Sequence, residues 1–195
     1  EPLYLSSFNR VSREYGFYMK DITKKKGKMV KLAEGPYTMT VNGVSVSNEY
    51  PGIAEVGKSQ KPPRKRSIPV FVYTKGNFEN SNNVYITRDM FRSEVKISET
   101  NPQQKDYNWG TVEMVSWTTA DSIKAEGLLF KPENFDPNKK YPVIIYFYEK
   151  DSDELYNYRS PAPSRSIVNI PYFVSNGNIV FDPDIYYTTG HPGQS

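Results

Sequence analysis

The chain has 195 residues, a net charge of +3 from 25 lysines and arginines against 22 aspartates and glutamates, and no cysteine. This near balance gives no field strong enough to favour nucleic acid as a partner. The lack of cysteine excludes disulfides, thiolate metal sites and a cysteine nucleophile, and no apolar run reaches the roughly 18 residues that a membrane span needs. Sixteen tyrosines, ten phenylalanines and fifteen prolines predict a folded, mainly β chain with frequent turns.

The first half of the chain has the rhythm of antiparallel sheets. Short apolar-rich runs separated by polar turns predict a first meander with strands at residues 3–7, 15–21 and 28–32. A second unit is predicted at residues 69–73, 83–87 and 94–97, with Arg88 and Asp89 opening the turn before its last strand. Each unit has the three or four strands of a propeller blade.

Residues 34–67 separate these two units. Residues 37–46 are interpreted as one more hairpin around Asn42 and Gly43, because Asn-Gly is a strong hairpin signal. The remainder is polar and rich in proline, and the sequence assigns it no structure.

The pattern changes after Asn101 and Pro102. Residues 112–117 and 125–130 predict two paired strands, and residues 142–148 form a continuous apolar run of the kind found where helices cover both faces of a sheet. A second such run lies at residues 178–181. Between them, residues 162–175 have helical spacing, although Pro171 argues for a break. A strand, crossover, strand unit is therefore expected, with the boundary between an all-β part and an α/β part at residues 101–110.

Few residues have the spacing of a known catalytic motif. There is no G-x-S-x-G, the tight turn that presents a hydrolase serine; the nearest match, residues 43–47 (GVSVS), is interpreted as a strand. The single histidine, His191, lies between glycine and proline residues and is expected to be a loop residue, so neither a triad nor a zinc site is predicted. No cofactor is expected.

Two charged clusters and one tyrosine remain. The acidic group Asp151, Asp153 and Glu154 and the basic run at residues 61–66 are both interpreted as solvated loops. Tyr148 is placed at the carboxyl end of an apolar strand, where α/β sheets carry their working residues. Its phenol can donate a hydrogen bond to a developing oxyanion, and the alternative is a packing role.

In order along the chain, several segments resemble the prolyl oligopeptidase family of serine peptidases, in particular its dipeptidyl-aminopeptidase-like bacterial branch. The segments that resemble a propeller blade and the exit from the propeller are residues 5–8 (LSSF), 15–18 (YGFY), 101–104 (NPQQ) and 107–110 (YNWG). Those that resemble the start of an α/β-hydrolase domain are residues 126–132 (EGLLFKP), 134–137 (NFDP) and 140–142 (KYP). The combination and its order cover most of the chain.

The resemblance implies C-terminal blades of a β-propeller at residues 1–105 and the N-terminal part of an α/β-hydrolase domain at residues 106–195. It implies that Tyr148 supplies an oxyanion-hole hydroxyl, and that the catalytic serine, aspartate and histidine lie beyond Ser195. The chain is thus expected to be an internal fragment, inactive by itself, of a periplasmic or secreted enzyme that acts on short peptides. Open strand edges also predict homo-oligomers.

Two alternatives to a peptidase stay open at this point. One is a non-enzymatic β-rich module whose exposed tyrosines bind a peptide or a glycan. The other is a hydrolase-like scaffold that has lost its nucleophile and serves in interaction. Exposed clusters of tyrosine would favour the first alternative.

Overall fold

The computed structural model describes residues 2–48, 67–163, 165–187 and 189–190, which form three sheets. The first sheet contains β1 (Pro2–Phe8), β2 (Tyr15–Asp21) and β3 (Met29–Gly35), paired antiparallel in chain order. This is the predicted meander, and β2 has the predicted bounds. It forms because apolar residues recur at alternate positions, which brings Phe17 onto one face of the sheet.

The second sheet contains β4 (Thr38–Asn48), β5 (Ser67–Gly76), β6 (Asn83–Thr87) and β7 (Val95–Lys96), also antiparallel in chain order. The prediction of a hairpin around Asn42 and Gly43 is wrong. β4 is one strand that pairs with β5 from Thr38 to Asn48, and the register shifts between Val41 and Gly43. Neither Asn42 nor Gly43 has the positive φ that a tight hairpin turn requires, so the pair forms a β-bulge.

An aromatic core joins these two sheets. Phe17, Phe71 and Tyr73 are buried, and the rings of Phe17 and Phe71 lie 5.8 Å apart in an edge-to-face arrangement. Phe91 closes the cluster with its ring 5.0 Å from that of Phe71. Such contacts add to the free energy gained by burying the rings.

The third sheet is mixed. A 3-10 turn (Pro102–Asp106) leads into β8 (Thr111–Thr118) and β9 (Lys124–Lys131), which pair antiparallel as predicted. β11 (Ile179–Pro183) is antiparallel to β9 and parallel to β10 (Val143–Ile145), so the strand order is β10-β11-β9-β8. The predicted strand, crossover, strand unit is confirmed.

The crossover contains a 3-10 turn (Ser152–Glu154) and one helix, α1 (Ile170–Ser175). Asn169 caps the helix by accepting a hydrogen bond from the Tyr172 backbone N–H at 3.2 Å. Pro171 lies in the first turn, where the missing N–H costs nothing, so it opens the helix and does not break it. The α1 side chains Ile170 and Val174 pack with Leu128, Phe130 and Val180 to form the core of this sheet.

The expectation that residues 142–148 are covered on both faces is wrong. β10 has only three residues, and Val143 and Ile145 are 55% and 61% exposed, whereas Ile144 packs against the core. Val143 and Ile145 are exposed because β10 is the edge strand and because, within the described residues, α1 covers only one face of the sheet. Also within the described part of the chain, no helix has the length and apolar character to cross a bilayer.

Candidate functional site

The carboxyl ends of the parallel strands β10 and β11 lie side by side and define the candidate site. Ile145 is opposite Phe181 in the register, and the ladder extends past β10, because the Tyr146 N–H donates to the Phe181 carbonyl at 3.0 Å. Beyond it, the Ile185 N–H donates to the Glu149 carbonyl at 2.7 Å. This is the edge at which open α/β sheets bind ligands.

Tyr148 lies between these two backbone anchors. Tyr148 is 76% exposed, which argues against a packing role. Its hydroxyl makes no hydrogen bond with any other described residue. The neighbouring Lys150 lies over the ring of Tyr186, 4.5 Å from its centroid, which holds the segment after Tyr148 near the residues after β11. The arrangement leaves the phenol free to donate a hydrogen bond, and its catalytic role stays a prediction.

The acidic side chains after Tyr148 are partly or largely exposed, as predicted, but the segment that carries them is anchored to the sheet. Ser152 is 2% exposed; its backbone N–H and hydroxyl both bond to the Asp184 carboxylate, at 2.9 and 2.7 Å. Asp153 forms an ion pair with Arg13 at 3.0 Å. No sequence pattern indicates these contacts, because Arg13 is 139 residues from Ser152 along the chain.

Arg13 connects the first sheet to this site. It lies on the turn between β1 and β2, is 6% exposed, and has a left-handed φ of 62°. Its guanidinium bonds to the Glu126 carboxylate on β9 and donates to the Ser152 hydroxyl at 3.2 Å. A carboxylate, a hydroxyl and a second carboxylate thus surround one buried cation, which is the pairing that a buried charge requires.

A second arginine lies on the other side of the acidic segment. Arg159 donates to Glu154 at 3.1 Å and lies 3.7 Å from the carboxylate of Asp182, which is fully buried in β11. The pKa of Asp182 is raised to about 7, first by burial and then by the nearby Asp151 carboxylate, with Arg159 opposing the rise. No group of acidic residues or histidine within the described ranges has the arrangement of a metal site.

The remaining sequence candidates do not join this site. Ser45, the serine of the imperfect G-x-S-x-G match, is in β4 opposite Val70, so its assignment to a strand is confirmed. His191 and the basic run at residues 61–66 lie outside the described residues. Asp182 and Asp184 were missed, although acidic residues that directly follow an apolar strand are a signal for a carboxyl-edge site.

An aromatic groove opens beside the site, on the side of α1. It has a volume of about 1250 Å³ and its lining includes Tyr107, Trp109, Tyr146 and Tyr172. Tyr107 and Tyr172 are more than half exposed, whereas the Trp109 indole N–H donates to the Phe78 carbonyl at 2.6 Å. The groove therefore has one ordered aromatic wall and two tyrosines open to solvent.

This chain has the same fold as a part of several solved peptidase structures. An AtxE2 isopeptidase variant with astexin3-dC4 bound superposes with a TM-score of 0.59 at 11% identity, covering 96% of this chain and 24% of its own length. Dipeptidyl peptidase 4 of Porphyromonas gingivalis gives 0.53 at 18% identity, over 94% of this chain and 22% of that one. The acylaminoacyl peptidase of Pyrococcus horikoshii gives 0.56 at 13% identity, over 94% and 23%.

These likenesses establish the fold class: a mainly β chain with propeller-like blades followed by the strands of an α/β sheet, as predicted. No family model matches the sequence, and no curated protein sequence does. The chain spans about a quarter of the length of the peptidases it resembles.

Proposed function

We propose that this chain is part of a serine-type exo- or oligopeptidase that hydrolyses short peptides through an acyl-enzyme. The observation that carries the proposal is the position of Tyr148, an exposed phenol at the carboxyl edge of β10, fixed on both sides by backbone hydrogen bonds to residues 181 and 185. The fold that this chain shares with several peptidases supports it, as does the sequence resemblance to the prolyl oligopeptidase family.

In the proposed reaction a serine of the longer protein attacks the scissile carbonyl, and negative charge develops on the carbonyl oxygen. Tyr148 donates its hydroxyl proton in a hydrogen bond to that oxygen, together with a backbone N–H. Because the backbone is anchored on both sides of Tyr148, the residue is already at this edge when the charge forms, which limits the reorganisation that is needed. The nucleophile, acid and histidine lie outside residues 1–195 in this proposal, and the chain alone is inactive.

In this proposal the two parts of the chain have different functions. Residues 1–105 belong to a propeller that restricts entry to short peptides, and residues 106–195 begin the hydrolase domain. We also propose a periplasmic or secreted location, which the family resemblance favours.

The test uses the full-length protein that contains this sequence. We expect a fluorophosphonate probe to label one serine and the protein to hydrolyse dipeptide amides. Tyr148→Phe should lower kcat by about 100-fold, because it removes one oxyanion donor. Tyr187→Phe is the matched control, since Tyr187 is an exposed tyrosine at the same edge, and it should leave kcat unchanged.

Equal effects of the two substitutions would contradict the role of Tyr148. A folded full-length protein that neither reacts with the probe nor hydrolyses peptides would contradict the peptidase proposal as a whole. That outcome would favour the β-rich binding module, for which the aromatic groove with exposed Tyr107 and Tyr172 is the supporting observation.

A further inference from the structure

The segment that carries Tyr148 is held at its far end by a residue of the first sheet. From Tyr148 the chain runs through Glu149 to Ser152 and Asp153, and both of the last two contact Arg13. The Ser152 hydroxyl donates to Asp184 at 2.7 Å and accepts from Arg13 at 3.2 Å. Arg13 is therefore the one described residue of the blades that forms an ion pair with this segment.

The turn that presents Arg13 is itself well ordered. The Arg13 N–H donates to the Asn9 carbonyl at 2.7 Å, and the Asn9 N–H donates to the Glu14 carbonyl at 2.9 Å. The Asn9 side chain accepts from the Val11 N–H at 2.9 Å. Arginine rarely adopts a left-handed backbone conformation, and an outlier of this kind is a reason to look for a functional constraint.

The partners of Arg13 explain why that conformation is maintained. The side chain of Arg13 is 7% exposed, and that of Glu126 is 32% exposed. Removing the guanidinium would leave the Glu126 carboxylate without its partner and take one bond from Ser152, at a cost larger than that of an exposed pair. The segment between Tyr148 and Asp153 would then be held at that end by the bonds from Ser152 to Asp184 and by the longer one, 3.4 Å, from the Ser152 hydroxyl to Glu126.

We propose that Arg13 is a positioning residue for Tyr148, through which the propeller part sets the geometry of the oxyanion site. This inference rests on the proposed function and deepens it. Arg13 touches no reacting atom; it fixes the segment that places the phenol. A displacement of about 1 Å at such a group is enough to lower a rate strongly.

The first measurement is independent of activity: hydrogen exchange of residues 149–154 in the full-length protein. Arg13→Met should accelerate exchange there by on the order of tenfold, because the segment opens locally when one of its anchors is lost. Arg10→Met is the matched control, since Arg10 is exposed on the same turn and forms no ion pair among the described residues. Unchanged exchange in Arg13→Met would overturn the proposal.

The second measurement asks whether Arg13 acts through Tyr148. Arg13→Met should lower kcat and kcat/KM together by about tenfold, the pattern of a lost transition-state interaction. In the Tyr148→Phe background the same substitution should change kcat by less than about twofold, since the group it positions is gone. Fully additive effects would overturn the proposal even if exchange is faster.

A third variant covers the case in which Arg13→Met does not fold. Asp153→Asn removes one ion pair and leaves the bond to Glu126, and it should show a smaller effect on exchange and kcat in the same direction. An unaffected Asp153→Asn together with an unfolded Arg13→Met would assign Arg13 to stability and overturn the proposal. Failure of the proposed function is a separate result, because it would appear as an inactive wild-type protein.

Discussion

The two blade-like sheets (β1–β3 and β4–β7, here the blades) and the third, mixed sheet (β8–β11) have cores of different composition. The core between the two blade sheets is formed by Phe17, Met39, Phe71 and Tyr73, all from within the blades. The core of the mixed sheet is largely aliphatic, but it includes Phe78, which comes from the loop after β5. Arg13 likewise reaches from the blades into the mixed sheet. Two residues from the blades thus contribute to the mixed sheet, whereas no described residue of the mixed sheet belongs to the blade core. We therefore expect the mixed sheet to depend on the blades more than the blades depend on it.

The largest effect expected from this asymmetry concerns Phe71. Phe71→Ala should lower the free energy of unfolding by about 3–5 kcal/mol, because it leaves a cavity in a fully buried aromatic cluster. Since the mixed sheet depends on the blades, hydrogen exchange should become faster in both regions. Leu128→Ala, in the mixed-sheet core, should cost about 2–5 kcal/mol and accelerate exchange mainly in residues 111–187.

The same two variants can also contradict this direction of dependence. If Leu128→Ala accelerates exchange in the blade strands as much as Phe71→Ala does, the molecule is one cooperative unit and the proposed direction of dependence is wrong. Urea unfolding of the two variants gives their free energies of unfolding, and the m-value reports whether the denatured state has changed.

Two acidic groups, one partly exposed and one fully buried, give a second, smaller contrast. In the blades, burial opposes ionisation of Glu94, but hydrogen bonds from Lys75 and Tyr73 outweigh it and lower the pKa of Glu94. In the mixed sheet, burial raises the pKa of Asp182 from 3.8 to about 7. The folded state therefore binds a proton at Asp182 that the unfolded state has released, so this group makes the protein less stable as the pH rises from about 4 to 7.

Asp182→Asn removes that pH dependence. Relative to the wild type, the variant should gain stability progressively between pH 4 and 7 and keep the full gain above pH 7, whereas at pH 4 the two should be nearly equal. Melting temperatures measured from pH 4 to 8 test this, with Asp121→Asn on the exposed β8–β9 turn as the control. A constant difference across the range would show that Asp182 ionises normally in the folded protein.

The same contrast separates what the sequence could predict from what it could not. β2 and β6 have the predicted bounds because local alternation of apolar and polar residues determines them. β4 was misassigned because its partner, β5, lies beyond residue 66, so the Asn42-Gly43 signal for a hairpin was outweighed by a long ladder. A pairing decided by distant residues leaves no local pattern.

The candidate site shows the same limit. The position of Tyr148 at the carboxyl edge was predictable because it follows from a single apolar strand, and its catalytic role stays a prediction. Arg13 was not found, because its turn has no feature that indicates a partner on β9 or in the crossover. Burial of Ser152 and Asp184 likewise depends on contacts 32 residues apart.

The smallest expected effect on stability concerns the exposed strand β10. The outer blade strand β3 exposes Met29 and Val30 but also carries the charges of Lys31 and Glu34, which discourage pairing with another chain. The edge strand β10 exposes Val143 and Ile145 and contains no charged residue. The 195-residue chain should therefore self-associate in light scattering. Ile145→Lys should shift it towards the monomer with little change in the free energy of unfolding, because the side chain is already exposed. Val11→Lys, at an 89% exposed position on the β1–β2 turn, is the control for the added charge; a monodisperse wild-type monomer would show that this edge does not drive association.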